Sequence, residues 1–190
     1  MESIEGTEKR LINLIDAVPT QGGNRMNKTE TPGFQVKSAT ESDVPVIFSL
    51  IKKLAEYERL SSEVVATEEL LRETLFGQCR AAEVAIGYLG TKTVGFVLFF
   101  HTYSTFLGKP GLYIEDLFVD EDYRGRGYGR ALLLHVARLA KERSCGRLEW
   151  AVLDWNQPAI GFYKKLGAVP MSEWTVFRVA GKSLDELAGQ

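Results

Sequence analysis

From Phe34 onward the chain alternates between two hydrophobic periods, one near 3.6 and one near 2, which predicts alternating helices and strands. Phe34 to Ser38 reads as a first strand. Over Ser42 to Tyr57, Val46, Ile47, Leu50, Ile51 and Leu54 form one apolar stripe, so a helix is expected there, capped by Ser42 or Asp43. Thr67 starts a second helix, Glu68 to Phe76, which Gly77 ends. Ala82 to Gly90 and Lys92 to Tyr103 read as a hairpin turning near Gly90-Thr91-Lys92. A strand over Tyr113 to Val119, a glycine-rich turn and a helical pattern over Ala131 to Arg143 come next. A strand over Leu148 to Asp154 follows, then a short helix that Asn156 caps and Gly167 stops. Trp174 to Ala180 is expected to form a last strand and Ser183 to Leu187 a final helical turn. The order implies a single mixed α/β domain over 34–190, without internal repeats. Residues 1–33 read differently, as a flexible extension: Lys9 to Val18 is weakly amphipathic, and Pro19 to Gly33 is polar and rich in glycine and proline.

Composition narrows the function classes. The 190 residues are 45% hydrophobic and 25% charged, ordinary for a globular protein with a real core. Lysine and arginine total 23 against 25 acidic residues, so no general positive field favours nucleic acid. Two cysteines, Cys79 and Cys145, are too few for a disulfide framework and point to a reducing, cytoplasmic setting. No motif surrounds Cys145 that would make it a nucleophile. No membrane-length apolar run and no targeting leader are expected.

The chemistry concentrates at Arg124-Gly125-Arg126-Gly127-Tyr128-Gly129-Arg130. A glycine-rich turn from strand to helix gathers backbone N–H groups and a positive helix end at one point, which suits an anion, most often phosphate. Arg124, Arg126 and Arg130 add positive charge. Arg130 stands where a dinucleotide fingerprint needs glycine, and no Gly-Lys-Ser/Thr follows, so two common phosphate loops are excluded. Arg-x-x-Gly-x-Gly remains, on Arg124, Gly127 and Gly129. Downstream, Asn156-Gln157-Pro158-Ala159 opens a helix that carries Phe162-Tyr163 and ends at Gly167.

These two segments, in this order and at this spacing, resemble the signatures of the GNAT N-acetyltransferase superfamily. Ile47 to Glu58, Phe99 to Tyr103, Tyr113-Ile114-Glu115-Asp116 and Asp154-Trp155-Asn156-Gln157 are similar to the spermidine/spermine and thialysine (diamine) acetyltransferases. The resemblance covers roughly 34–188, and Ala151 to Gln157 leans to the thialysine branch. It implies the acyl-CoA N-acyltransferase fold, a mixed central sheet flanked by helices with strands 4 and 5 splayed apart. It also implies acetyl-CoA as co-substrate, with no metal. Leu117, Phe118 and Val119 would pair with the pantetheine arm, Gly125 to Arg130 would hold the pyrophosphate, and Asn156, Gln157, Pro158 and Ala159 would approach from the other side.

An amine must lose its proton before it attacks a thioester, and free alkylammonium has a pKa of about 10.4. The resemblance gives that base role to Glu115, at a strand bulge, with substrate anchoring as the alternative role. A backbone N–H near Leu117 would serve the oxyanion, and Tyr163 would be the general acid. Asp116, alternating away from Glu115, is expected to be structural or electrostatic. Tyr57, Glu58, Glu149, Trp150, Ala151 and, more weakly, Glu173 would bind the acceptor. Ser104 stands where polyamine members carry a carboxylate, which argues for a short amine such as thialysine, lysine, ornithine or a diamine. The Thr102-to-Gly111 loop is expected to close over that substrate. Transfer to a protein lysine or N-terminus, and a non-enzymatic coenzyme A sensor, are the alternatives. A homodimer is implied by the resemblance, with the aromatic tail strand at Trp174 to Phe177 suited to the interface.

Overall fold

The computed structural model describes residues 33–190, so the expected N-terminal extension lies almost wholly outside the described residues. Five strands form one sheet in the order β1-β2-β3-β4-β5: β1 Phe34–Ser38, β2 Glu83–Leu89, β3 Lys92–Ser104, β4 Lys109–Val119 and β5 Leu148–Trp150. The first four are antiparallel neighbours, and β5 runs parallel to β4. On one face lie α1 (Val44–Glu58) and α2 (Glu68–Phe76); Val44, Ile47, Leu50, Leu71 and Leu75 pack with Val84, Ile86, Phe96 and Phe118. On the other face, α3 (Tyr128–Glu142) sets Leu132, Leu133, Val136 and Ala140 against Ala85, Val97, Phe99, Leu112 and Ile114. Helix α4 (Gln157–Lys165) adds Phe162 and Tyr163 to that side, and α5 (Lys182–Ala188) ends the chain.

Local chemistry explains most boundaries. The Thr67 hydroxyl accepts from the Leu70 N–H, and α2 stops where Gly77 closes on the Glu73 carbonyl. At α1 the cap differs from expectation. Thr40 and Asp43 form a capping box around a short 3-10 turn, Glu41–Asp43, and Pro45 occupies the first turn of the α-helix. Neither Ser42 nor Asp43 caps α1 through its side chain.

A bulge in β4 decides what the site contains. Leu98 faces Asp116 and Phe99 faces Ile114, which leaves Glu115 as the extra residue. The inward parity of β4 therefore reverses at that point. Leu112 and Ile114 pack toward α3, whereas Phe118 packs toward α1 and α2. Removing the bulge would turn Phe118 or Ile114 out of its cluster, at about 1.5–3 kcal/mol per side chain. Packing on both faces thus holds the irregularity in place.

Two strands fall short of the sequence reading. β5 ends at Trp150 instead of continuing to Asp154, so among the described residues β4 has no neighbour on that side from Glu115 to Val119. Trp174 to Ala180 forms no strand; Trp174, Val176 and Phe177 are 70%, 86% and 89% exposed. Strand propensity in that tail finds no ladder partner among the described residues.

Candidate active site

The divergence of β4 and β5 opens a small cavity. Its walls come from Leu54 and Glu58 of α1, Ile114 to Leu117 of β4, Trp150 to Leu153 after β5, Asn156, and Tyr163 of α4. Glu58, Glu115 and Asp116 therefore converge on one space with Tyr163. Both Glu115 and Asp116 reach it because the bulge breaks the strand's alternation, which corrects the expectation that Asp116 faces away. Asp116 is largely buried, and its pKa rises to about 6, first through burial and then through the charges of Glu115 and Glu58. Burial also raises Glu58. Tyr163 is lodged against Trp150 and Phe162, with ring centroids 5.0 and 5.2 Å away, and burial pushes its phenol above the ordinary value. It is therefore a protonated donor at neutral pH.

Beyond Glu58 lies a larger cavity of ≈ 820 Å³, walled by the end of α1, Phe118, Asp120 to Asp122 and Trp155. Tyr57 stands in this wall, 5.8 Å from the Trp155 ring and beneath the Arg124 guanidinium at 4.0 Å. Trp155 is a site residue that sequence reasoning missed. It sits inside the Asp154-Trp155-Asn156-Gln157 stretch, but only the turn after β5 brings it to α1.

The glycine loop fits an anion. Gly125 and Gly127 adopt φ of +75° and +85°, where a side chain is strained. Gly127 begins α3 without any side-chain cap, and the first turn holds no acidic residue. The leading N–H groups of a fifteen-residue helix are thus left to an external acceptor. Tyr128 is buried and stacks on Phe34 at 4.4 Å, which anchors the loop. The arginines divide. Arg124 turns inward, its Nε donating to the Val119 carbonyl at 2.9 Å and its guanidinium pairing with Glu121 at 3.1 Å. Arg126 donates to the Asp122 carbonyl. Arg130 has no ion pair or side-chain hydrogen bond among the described residues, and Arg126 has no ion pair among them.

Other expected residues are placed as follows. Leu117 lines the small cavity and Phe118 the large one, while Val119 packs toward α3. Asn156 caps α4, its Oδ1 accepting from the Ala159 N–H at 3.3 Å, and Gln157 donates to the Asp154 carbonyl. Pro158 occupies the first turn of that helix. Trp150 and Ala151 line the small cavity, but Glu149 is engaged with Arg147 at 2.8 Å. Glu173 lies in an exposed turn of the tail, and neither cavity includes it. Ser104 is buried, its hydroxyl accepting from the Leu107 N–H at 3.3 Å, so it holds the hairpin turn and lines neither of these two cavities. No residue of the β3–β4 hairpin lines either cavity, so the expected closure of the Thr102-to-Gly111 segment over the substrate is not seen among the described residues.

An open strand edge, an uncapped helix start and a carboxylate-lined cavity beside a buried phenol together fit an acyl-CoA arm meeting a cationic amine. Comparison with known proteins agrees. The model of the acetyltransferase (GNAT) family matches residues 50–168. The thialysine N-epsilon-acetyltransferase of Bos taurus is 42% identical over 166 residues, spanning 82% of this chain and 97% of that protein. The L-ornithine N5-acetyltransferase of Arabidopsis thaliana is 35% identical over 198 residues, spanning 80% and 87%. Among solved structures, an integron cassette protein from the mobile metagenome of V. cholerae superposes with a TM-score of 0.71 at 26% identity, covering 83% of this chain and 99% of that one. The chain belongs to the GNAT acetyltransferase family, whose members transfer acetyl groups from acetyl-CoA to amines.

Proposed function

We propose that this protein acetylates the primary amine of a small cationic molecule, of the thialysine, lysine, ornithine or di/polyamine kind, by direct attack of the amine. The observation that carries this reading is the convergence of Glu58, Glu115 and Asp116 with Tyr163 on the small cavity where β4 and β5 part. When bound, acetyl-CoA supplies a thioester carbonyl open to an amine. The chain supplies the rest. Glu58 and Asp116 hold the acceptor's cationic end, and Glu115 takes the proton that the ammonium must lose, directly or through water. A backbone N–H near Leu117 on the open edge of β4 steadies the developing oxyanion. The Tyr163 phenol gives its proton to the departing sulfur. Residues of the loop from Gly125 to Arg130, the open edge from Leu117 to Val119, and Asn156 to Ala159 form the cofactor side.

The decisive experiment measures acetyl-CoA-dependent thiol release with spermidine, putrescine, ornithine, lysine, thialysine and a lysine-rich peptide. Turnover is expected on the small amines and not on the peptide. Peptide preference would transfer the activity to protein acceptors, and silence on every amine with coenzyme A still bound would leave a sensor.

The unit is assigned to 34–190 and to the cytoplasm, and to a homodimer. Support for the dimer is the exposed apolar run Trp174, Val176, Phe177 and Val179, together with a β5 edge that carries no further strand among the described residues. Sedimentation at micromolar concentration is expected to give twice the 21.2 kDa chain mass. A species at the chain mass itself would refute the dimer.

A further inference from the structure

Helix α1 meets the turn after β4 along one face and the reacting cavity along the next. Lys53 and Tyr57, four residues apart on that helix, stand in the wall of the large cavity. Leu54 and Glu58, each one position further on, line the small one. Whatever fixes the first pair therefore fixes the aim of the second.

Two contacts do so. Lys53 pairs with Asp120, whose other carboxylate oxygen accepts from the Asp122 N–H at 3.4 Å and so starts the short 3-10 turn Glu121–Tyr123. Arg124 follows that turn, and its guanidinium lies over the Tyr57 ring at 4.0 Å. Its Nε donates to the Val119 carbonyl at 2.9 Å and its Nη1 to Glu121 at 3.1 Å. Tyr57 in turn meets Trp155, 5.8 Å away, and Trp155 directly precedes Asn156, the cap of α4. The row Arg124, Tyr57, Trp155 thus joins the turn after β4, the end of α1 and the turn after β5. A guanidinium engaged with a carbonyl, a carboxylate and a ring face would give up all three contacts to reach a phosphate, and Glu121 beside it repels one.

We propose that Arg124 is a positioning residue for the acceptor side, not a ligand of the pyrophosphate, and that Lys53 is its second anchor. Together they fasten α1 to the turn after β4 and aim Tyr57 and Glu58 at the amine. The backbone of the neighbouring glycine loop is left to hold the phosphates. This rests on the amine-acetylation reading above and adds to it two residues that stand back from the reacting atoms.

The test measures kcat and KM of the full chain for ornithine, thialysine and spermidine at saturating acetyl-CoA, and the coenzyme A Kd by calorimetry. Arg124→Met is expected to raise the acceptor KM about tenfold or more, the scale of a misplaced binding group, with kcat and the coenzyme A Kd within threefold of wild type. Arg124→Lys keeps the charge but loses the planar fork, so it is expected to match Arg124→Met, whereas a simple phosphate contact would be rescued by lysine. In a Tyr57→Leu background, where no ring remains to be held, Arg124→Met is expected to change the acceptor kcat/KM less than twofold. Lys53→Met alters a half-exposed side chain, so its folding is not at risk, and it is expected to raise the acceptor KM at least threefold. A coenzyme A Kd that rises tenfold in Arg124→Met, or a full Arg124→Met effect without the Tyr57 ring, overturns the proposal. If Arg124→Met fails to fold, a Lys53→Met acceptor KM below threefold of wild type overturns it instead. Wild-type turnover of any of the three amines keeps amine acetylation standing in each of these cases, whereas wild-type failure on all of them overturns the broader reading.

Discussion

Tyr163→Phe is expected to lower kcat by about 10²–10³-fold, within the range a positioned proton donor supplies, while coenzyme A affinity stays within about twofold. The substitution removes one oxygen and keeps the ring, so the contacts with Trp150 and Phe162 survive and the wall of the small cavity keeps its shape. Burial raises the Tyr163 pKa, and no side-chain hydrogen bond claims its hydroxyl among the described residues. A buried phenol that is protonated and unengaged has its proton available for a leaving group. Loss of the hydroxyl should therefore appear in kcat and kcat/KM together, the pattern of an interaction made only in the transition state. An increase in KM alone would make Tyr163 a binding surface, and unchanged kinetics would make it only a packing element of the α3 face.

Much of this architecture was legible in the sequence because local rules and global fold agree. The stripe of α1, the Thr67 cap, the Gly90 hairpin and the glycine loop each announce themselves within a few residues. What escaped was non-local. The reversal of β4 at Glu115 depends on which cluster claims Phe118 and which claims Ile114, and no period within one strand encodes that choice. Asp116 was misplaced for that reason. Trp155, Arg59 and the acids after β4 meet only because α1 ends beside the β4–α3 turn. Arg124 was read as a phosphate ligand from its motif, yet Tyr57, Val119 and Glu121, all set by the fold, draw its guanidinium inward. Ser104, which stands where polyamine members carry a carboxylate, is buried and holds the hairpin turn, a role that its motif does not reveal. The tail around Trp174 shows the opposite limit: strand-forming residues need a partner edge, and among the described residues these pair with none.

Asp116→Asn is expected to stabilise the protein and impair it at once. The carboxyl's pKa stands at about 6 in the fold against an ordinary 3.8, raised by burial and by Glu115 and Glu58. Between those values the folded state holds a proton that the unfolded state has lost, so stability falls as pH rises through the window. At pH 7 the full penalty is present, at most about 3 kcal/mol, since one pKa unit is worth 1.36 kcal/mol. Asparagine keeps the shape and carries no charge. Its melting temperature should therefore exceed wild type by several degrees at pH 7.5, at about 2–4 °C per kcal/mol for a chain of this size. Near pH 4 the wild-type carboxyl is itself protonated in the fold, and the advantage should vanish. On the proposed function a cationic acceptor would relieve that penalty: an ammonium among Glu58, Glu115 and Asp116 would replace repulsion with attraction. The same variant should accordingly lose at least tenfold in kcat/KM for cationic amines, and added acceptor should raise its melting temperature less than that of wild type. A variant equally destabilised at both pH values would show that Asp116 serves the fold, not the acceptor.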